Sequence, residues 1–393
     1  MHFGFTEDQD MIRKSARDFV ERDSSLERVR ALADDALGYS PDHLSKIAEA
    51  GWLAAVYPEE CGGIGLGCAD LICITEEFGR GLIPEPLISS IAAGSAILLA
   101  GTDEQKTTIL PEVAEGSLKL TLAAYELAGR FNPAYVDTVA TETGGGYILN
   151  GEKAFVPDAA AADKILVTAR TSGDRADRSG ISLFLIDRDA PGVTLVPITV
   201  MDRRARATVQ LNEVSVSDDA RIGEAGAALD GIEKAIDRAT VALCAEAVGI
   251  MEQALKMTVE YAQERVQFGK PIGSFQAVKH KAANMYVSLE MARSSMYYAA
   301  MAVDEDLPDV RAAVSAAKAT CGDAVLAVTK EAIQLHGGIG FTDEHNIHLF
   351  FKRAQVIAVT YGDAMYHRER YAQEKGLQNP AAAAADIEAV GAV

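Results

Sequence analysis

Two stretches of the 393-residue chain concentrate residue types that could bind a charged ligand. The first, Tyr261–Gln276, contains Arg265, and the second, Gln334–Phe341, contains a pair of glycines. A guanidinium is a rigid cationic fork, and a residue without a Cβ lets its backbone N–H approach a ligand closely. Read alone, each stretch is a weak signal, because an arginine on a helix is usually solvated and a Gly-Gly pair usually marks a turn. Only their joint occurrence favours a binding site.

The charge balance excludes some classes of partner. The chain has 57 acidic and 37 basic residues, a formal net charge of −20 and a pI near 4.8. This charge repels phosphate backbones and anionic lipids, so we expect neither a nucleic acid nor a membrane partner. The start lacks a basic segment followed by an apolar run, and the apolar stretch at Leu87–Ala100 is too short to cross a bilayer. We therefore expect a cytoplasmic protein.

The five cysteines do not form a recognisable metal or redox motif. They are odd in number, and none of their spacings is that of a zinc site or redox pair. We expect no metal site and buried, reduced thiols. The residues are Cys61, Cys68, Cys73, Cys244 and Cys321.

Hydrophobic periodicity predicts an α+β multidomain protein. Residues 1–117 have helical spacing, 118–225 form short β-rich runs and 226–378 return to helical spacing, with a disordered tail at 379–393. The β-rich part predicts a barrel or sandwich. Thr6 and Gln9 fit a capping box, and Asn150-Gly151 is typical of a hairpin turn. The glycine-rich stretch Gly62–Gly67 has no preceding hydrophobic strand, so we interpret it as a plain loop rather than a phosphate cradle.

The two strings YAQERVQFGKPIGSFQ (261–276) and QLHGGIGF (334–341) closely resemble motifs of the acyl-CoA dehydrogenase family. The helical, β, helical order agrees with that family to about residue 376. The resemblance implies a helical N-terminal domain, a middle β domain and a C-terminal four-helix bundle. It also implies a tetramer with FAD bound between subunits. The expected reaction is α,β-desaturation of an acyl-CoA in β-oxidation of fatty acids or steroid side chains, with electrons leaving to an electron-transferring flavoprotein.

By this resemblance, the two strings hold the adenosine and pyrophosphate side of a neighbouring subunit's FAD. Arg265 is expected to bind the pyrophosphate, Gln276 and Gln334 to add hydrogen bonds, and Gly337 to let backbone N–H groups approach. The full expected cofactor set is Arg265, Phe268, Ile272, Phe275, Gln276, Gln334, Gly337 and Gly338.

The carboxylate base of the family has no clear counterpart. The Glu of the usual YEGT-like string corresponds to Gly362, and the alternative Glu on the first long bundle helix corresponds to Ala239. Asp363 and Glu246 are the two weak candidates that could substitute. Asp363 could instead cap or turn the local backbone, and Glu246 could instead lie in a polar subunit contact.

The flavin-ring contacts also depart from the family. Tyr125–Arg130 replaces a TEP-like string, and Phe155-Val156-Pro157 replaces a Trp-Ile-Thr or Trp-Ile-Ser string, so that two expected hydroxyl groups are absent. The ring half of the composite site is therefore altered, whereas the adenosine half is complete.

Two interpretations remain open from the sequence. In the first, the chain is an active homo-oligomeric dehydrogenase that has moved its base to Asp363 or Glu246. In the second, it is a catalytically silent subunit that completes the FAD site of a heteromeric α2β2 acyl-CoA dehydrogenase. A non-flavin acyl-CoA-binding protein ranks last, because it would have no reason to keep Arg265, Gln334 and the glycine pair.

Overall fold

The computed structural model describes residues 5–35 and 37–377, so the predicted tail at 379–393 lies outside the described residues. The N-terminal domain is helical, as predicted. Its helices are α1 (Glu7–Asp23), α2 (Leu26–Leu32), α3 (Pro41–Glu49), α4 (Cys68–Gly81), α5 (Leu87–Ala100) and α6 (Asp103–Ala114).

Local capping explains where two of these helices begin. The predicted capping box at α1 is confirmed: Thr6 Oγ1 accepts from Gln9 N, and Gln9 Oε1 accepts from Thr6 N. The glycine-rich stretch before α4 is a connecting loop, as predicted. Asp304, from the C-terminal domain, accepts hydrogen bonds from Cys68 N and Ala69 N at the start of α4 (2.6 and 2.8 Å). The first turn of α4 is thus capped by another domain.

The middle domain is one mixed eight-stranded sheet in the order β6-β7-β3-β2-β4-β5-β8, with β1 parallel to β4. Side chains on one face pack against the helices, and those on the other face form a separate core within the sheet, as expected for a barrel-like domain. The strands are β1 (Leu120–Ala123), β2 (Val139–Thr143), β3 (Gly146–Pro157), β4 (Lys164–Arg170), β5 (Ile181–Asp187), β6 (Val193–Pro197), β7 (Arg206–Ser217) and β8 (Arg221–Ile222).

The prediction of a hairpin turn at Asn150-Gly151 is wrong. The chain turns earlier, at residues 144–145 between β2 and β3, and Asn150-Gly151 lies at a β-bulge inside β3. Asn150 bridges the bulge to β7, because its side chain donates to Glu213 Oε1 (2.7 Å) and accepts from Glu213 N (2.9 Å). The Asn-Gly pair here serves the unusual backbone of a bulge (Gly151 φ 152°) rather than a turn.

The C-terminal domain is a helical bundle built around α7. A small hairpin of β9 (Val266–Gln267) and β10 (Lys270–Pro271) follows α7. The helices are α7 (Leu229–Glu264), α8 (Gln276–Asp304), α9 (Val310–His336), α10 (Ile347–Val359) and α11 (Ala364–Glu374). Helix α7 contacts α4 closely because both carry glycines at the crossing. A Cβ added at Gly79 would lie 2.1 Å from the Glu246 carbonyl oxygen, and one at Gly249 would lie 1.8 Å from that of Glu76.

The predicted state of the cysteines is confirmed, since all five are free and buried. In residues 5–35 and 37–377, no helix is long and apolar enough to cross a membrane. The same residues contain no group of three or more His, Cys, Asp or Glu side chains that could hold a metal ion.

A buried ion pair holds the first strands of the middle domain together. Lys153 in β3 is fully buried, and its Nζ donates to Glu126 Oε1 (2.5 Å) and to Thr168 Oγ1 (2.9 Å). Glu126 also accepts from Asp137 N and from the backbone N–H and hydroxyl of Thr138. Burial opposes ionisation of Glu126, but the charge of Lys153 and these hydrogen bonds outweigh it and lower the pKa of Glu126.

Breaking this pair should strongly destabilise the protein. Lys153→Met leaves the Glu126 carboxylate buried without its cation, so we expect the free energy of unfolding in urea to fall by about 3–5 kcal/mol. Lys164→Met is the control, because its amino group pairs with Asp187 at the exposed edge of the same domain and should contribute only about 0–1 kcal/mol. Equal effects of the two substitutions would contradict this assignment.

Candidate functional site

The first motif string forms an exposed hairpin at the end of α7. Arg265 is the C-cap residue of α7, and its backbone carbonyl accepts from Ile272 N. Phe268 and Gly269 both have left-handed backbones (φ 55° and 79°), the geometry of a tight two-residue hairpin turn. Phe268 is 90% exposed and contacts the ring of Phe275 edge-on, with 6.1 Å between ring centroids. The turn thus exposes an aromatic ring on the surface of the chain, where a ligand or another subunit can contact it.

The second string lies beside the first. Helix α9 ends at His336, whose ring stacks on that of Tyr261 in α7 with 4.6 Å between centroids. Gly337 follows with φ 65°, which favours glycine at a helix end. A Cβ added at Gly338 would meet no atom of this chain within 4 Å, so its surroundings are open. The Tyr261–His336 stack therefore fixes the two strings at one end of the bundle.

The residues expected to bind the adenosine side of FAD include several with unused polar groups. In the described part of the chain, the side chains of Arg265, Gln276 and Gln334 are exposed and have no hydrogen bond to another residue. Together with the open backbone at Gly337 and Gly338, they offer donors to a ligand with anionic and polar groups. This end of the bundle fits the pyrophosphate and adenosine of a dinucleotide.

The two strings expected to contact a flavin ring, Tyr125–Arg130 and Phe155–Pro157, line a separate cavity of about 610 Å³, which we call the sheet-side cavity. It lies between the middle sheet, the segment 199–201 that precedes β7, and the end of α10 with the loop 360–363 that joins it to α11. Most of its lining is apolar. The lining residues that bear on the chemistry are Tyr125, Glu126, Phe155, Pro157, Arg206, Tyr361 and Asp363.

Asp363 lines this cavity but also caps a helix. It is the N-cap residue of α11, and its Oδ1 accepts from Tyr366 N (2.8 Å). Gly362, the position that corresponds to the family Glu, has φ 113° and no room for a side chain. A Cβ there would lie 2.5 Å from the Tyr366 ring and 2.7 Å from His367 Nε2. A glutamate at this position would therefore require a different backbone.

Glu246 is held in a buried ion-pair network. Arg353 binds it through two hydrogen bonds of 2.7 Å, and Arg204 lies 3.3 Å from the same carboxylate. Burial opposes its ionisation, but the two guanidinium groups outweigh burial and lower the pKa of Glu246. Ala239, the other expected base position, is fully buried in the same helix. Glu246 thus has both oxygens engaged and does not line the sheet-side cavity.

A second, smaller space lies beyond the wall of the sheet-side cavity. This helix-side cavity is about 50 Å³ and lies between α4, α7 and the segment 83–89. The two cavities share Pro157, Arg206, Thr360 and Tyr361 in their lining, and the helix-side cavity also contains the Glu246–Arg353 pair. The space next to the sheet-side cavity is therefore small and contains a buried ion pair.

Two lining residues were missed by the sequence analysis. Tyr361 has a left-handed backbone (φ 58°) and is 8% exposed; burial raises the pKa of its hydroxyl, although Arg206 opposes the shift. Arg206 begins β7 and reaches the wall that both cavities share. The only sequence signal was the dense charge in Asp202–Arg206, directly before a strand.

Comparison with known proteins identifies the family. Three family models match, namely the N-terminal domain of acyl-CoA dehydrogenase at residues 6–117, the middle domain at 121–214 and the C-terminal domain at 229–375. The chain belongs to the acyl-CoA dehydrogenase family. Members of this family oxidise acyl-CoA thioesters with FAD, and solved structures with the same fold include FAD complexes.

The similarities to individual proteins extend over nearly the whole chain. A 3-(aryl)acrylate reductase of Clostridium sporogenes is 32% identical over 91% of this chain and 96% of its own length. The steroid acyl-CoA dehydrogenase Tcur3481-Tcur3483, solved as a point variant, matches with TM-score 0.84 and 32% identity, covering 94% of this chain and 98% of that one. The ChsE4-ChsE5 complex of Mycobacterium tuberculosis matches with TM-score 0.87 and 27% identity, covering 96% and 100%.

A buried lysine positions the loop between α10 and α11, which carries Tyr361 to Asp363. Lys318 in α9 is 1% exposed, and its Nζ donates to the carbonyl oxygens of Ala358 (3.0 Å) and Gly362 (2.7 Å). Burial lowers the pKa of Lys318 to about 8. The amino group thus holds both ends of the loop that follows α10.

The low pKa of Lys318 predicts a pH dependence of stability. Between the folded pKa near 8 and the ordinary lysine pKa of about 10.4, the unfolded chain binds a proton that the folded chain lacks. Stability that Lys318 contributes should therefore rise as the pH increases through this range. We expect the free energy of unfolding of the wild type, relative to Lys318→Met, to increase from pH 8 to pH 10. Lys330→Met, which changes an exposed lysine of the same helix, should follow the wild type. A flat or falling difference for Lys318→Met would contradict the assignment.

Proposed function

We propose that this chain is the catalytically silent subunit of a heteromeric acyl-CoA dehydrogenase and that it completes the FAD site of its partner. The observation that carries the proposal is the absence of an unengaged carboxylate in the sheet-side cavity. Its only acidic lining residues, within the described chain, are Glu126 and Asp363. The first is paired with Lys153, and the second caps α11. A base that removes the α-proton of a thioester must instead reach the substrate directly.

The helix-side cavity supports the same conclusion. An acyl chain that passed the wall formed by Arg206 and Tyr361 would enter a space of about 50 Å³ that contains charged groups. Inserting an apolar tail there would separate Glu246 from Arg353 or leave them without solvent, which is costly for buried charges. The geometry therefore favours binding of the acyl substrate by the partner.

The adenosine half of the site supports a role toward a neighbouring subunit. FAD bound between the subunits would supply the hydride acceptor. In this chain, Arg265 would bind the pyrophosphate, Phe268 would cover an apolar part of the cofactor, and the N–H groups near Gly338 would donate to it. All of these groups face outward from the chain, as a cofactor at a subunit interface would require.

An exposed face of α8 supports assembly with another subunit. Tyr286, Val287, Met291 and Tyr298 are each at least 50% exposed on this one helix. Exposed apolar side chains clustered on one helix are typical of a subunit interface. The names of Tcur3481-Tcur3483 and ChsE4-ChsE5 each join two components. By analogy, this chain would assemble with a second family member, as a heterotetramer. The assembly would oxidise an acyl-CoA and pass electrons to an electron-transferring flavoprotein.

A self-sufficient, homo-oligomeric dehydrogenase is the second candidate. The volume of the sheet-side cavity favours it, because about 610 Å³ could accept a ligand of this chain's own. Asp363 would then be the base, since it lines that cavity whereas Glu246 does not.

Two substitutions distinguish the candidates in a complex with a family member that keeps the late Glu and the TEP-like string. In the silent subunit, Arg265→Gln removes a charge-assisted contact to the pyrophosphate, so the Kd for FAD should rise about tenfold or more. Asp363→Asn keeps the helix cap and should leave acyl-CoA turnover unchanged. Arg22→Gln, at an exposed site on α1, is the charge-matched control.

The opposite pattern would overturn the proposal. If Asp363→Asn abolishes turnover with normal FAD content, this chain supplies the base. If Arg265→Gln leaves the Kd for FAD equal to that of Arg22→Gln, the outward-facing string does not hold the cofactor.

A further inference from the structure

We infer that the sheet-side cavity of this chain binds an organic carboxylate through Arg206. This site goes beyond the proposed function, because it requires neither a base nor FAD in this chain. Three observations lead to it: the unused donors of Arg206, the lack of an ion pair to its guanidinium in the described chain, and the apolar lining of the cavity that it faces.

The guanidinium of Arg206 is only partly satisfied. Its Nη2 donates to Thr360 Oγ1 (2.9 Å), but its Nε is buried and has no acceptor. In the described chain, Nη1 also has no hydrogen-bond partner. Unlike Nε, it keeps solvent-accessible surface, so it is accessible from the cavities that Arg206 lines. The accessible Nη1 can therefore donate a charge-assisted hydrogen bond to a ligand oxygen in the cavity.

The charges around Arg206 leave a cation without a partner. Arg353 pairs with Glu246 and Asp202, and Arg204 shares Glu246. Asp158, another nearby carboxyl, accepts from Ser89 Oγ (2.6 Å), and burial raises its pKa. No ion pair involving Arg206 occurs among residues 5–35 and 37–377.

A second donor lies in the same wall. The hydroxyl of Tyr361 has no hydrogen bond to any residue in the described part of the chain. Like Nη1 of Arg206, it keeps solvent-accessible surface. Tyr361 and Arg206 line both cavities. A carboxylate offers two oxygens in one plane, which match a guanidinium fork and leave lone pairs for a phenol.

The rest of the cavity defines the remainder of the ligand. Apolar side chains form most of its lining, among them Leu122, Val156, Val200, Val356 and Val359. A volume of about 610 Å³ lies in the range of small-molecule sites. The predicted ligand is therefore a carboxylic acid with an apolar body, rather than inorganic phosphate or a polar metabolite.

Isothermal titration of the full chain with octanoate and with octanamide tests the inference. Both probes have the same apolar body, but only octanoate is charged, so we expect octanoate to bind about tenfold more tightly to the wild type. Arg206→Gln should remove this preference. Arg203→Gln changes an exposed arginine three positions away and should keep it.

Equal binding of the two probes to the wild type, or binding of neither, would overturn the inference without any variant. Retention of the preference by Arg206→Gln would also overturn it. Should Arg206→Gln fail to fold, Tyr361→Phe gives an independent test: it should weaken octanoate more than octanamide, and equal weakening would count against the site.

Discussion

The buried pairing of Glu246 with Arg353 is the interaction on which the arrangement of the site depends. It joins α7 to α10, and through Arg204 and Asp202 it reaches the segment that leads into β7 of the middle domain. Removing one partner from such a network leaves a buried charge without compensation, so the pairing fixes the relative position of these elements. The pair also lines the small helix-side cavity next to the sheet-side cavity.

The polar groups of the two halves of the site are used differently. On the sheet side, Glu126 is satisfied within the chain, and Asp363 has one oxygen engaged as a helix cap. On the bundle side, Arg265 and Gln334 point outward without partners in the described chain. A group already engaged in the fold is costly to recruit for catalysis, whereas an exposed donor only exchanges a hydrogen bond with water for one with a ligand. This asymmetry is the physical basis for assigning the chain a supporting role in a composite site.

Local signals in the sequence predicted much of the fold. Thr6 and Gln9 predicted the start of α1, and short β-rich runs predicted a β domain at 118–225. Asn150-Gly151 led to a wrong prediction, because a glycine with positive φ is favoured in a β-bulge as well as in a hairpin turn. Arg206 and Tyr361 could not be found, since they are about 155 residues apart in sequence and meet only through the packing of β7 against the end of α10. The burial of Glu246 by Arg353 was missed for the same reason.

The flavin content of the chain purified alone tests the central claim most directly. A subunit that only completes its partner's site should carry little or no FAD in its visible spectrum, and anaerobic addition of mixed acyl-CoAs should change nothing. Co-purification with the complementary family member should then yield flavin that is bleached by substrate. A stoichiometric flavin content in the chain alone, bleached by an acyl-CoA, would contradict the account and establish a self-sufficient dehydrogenase.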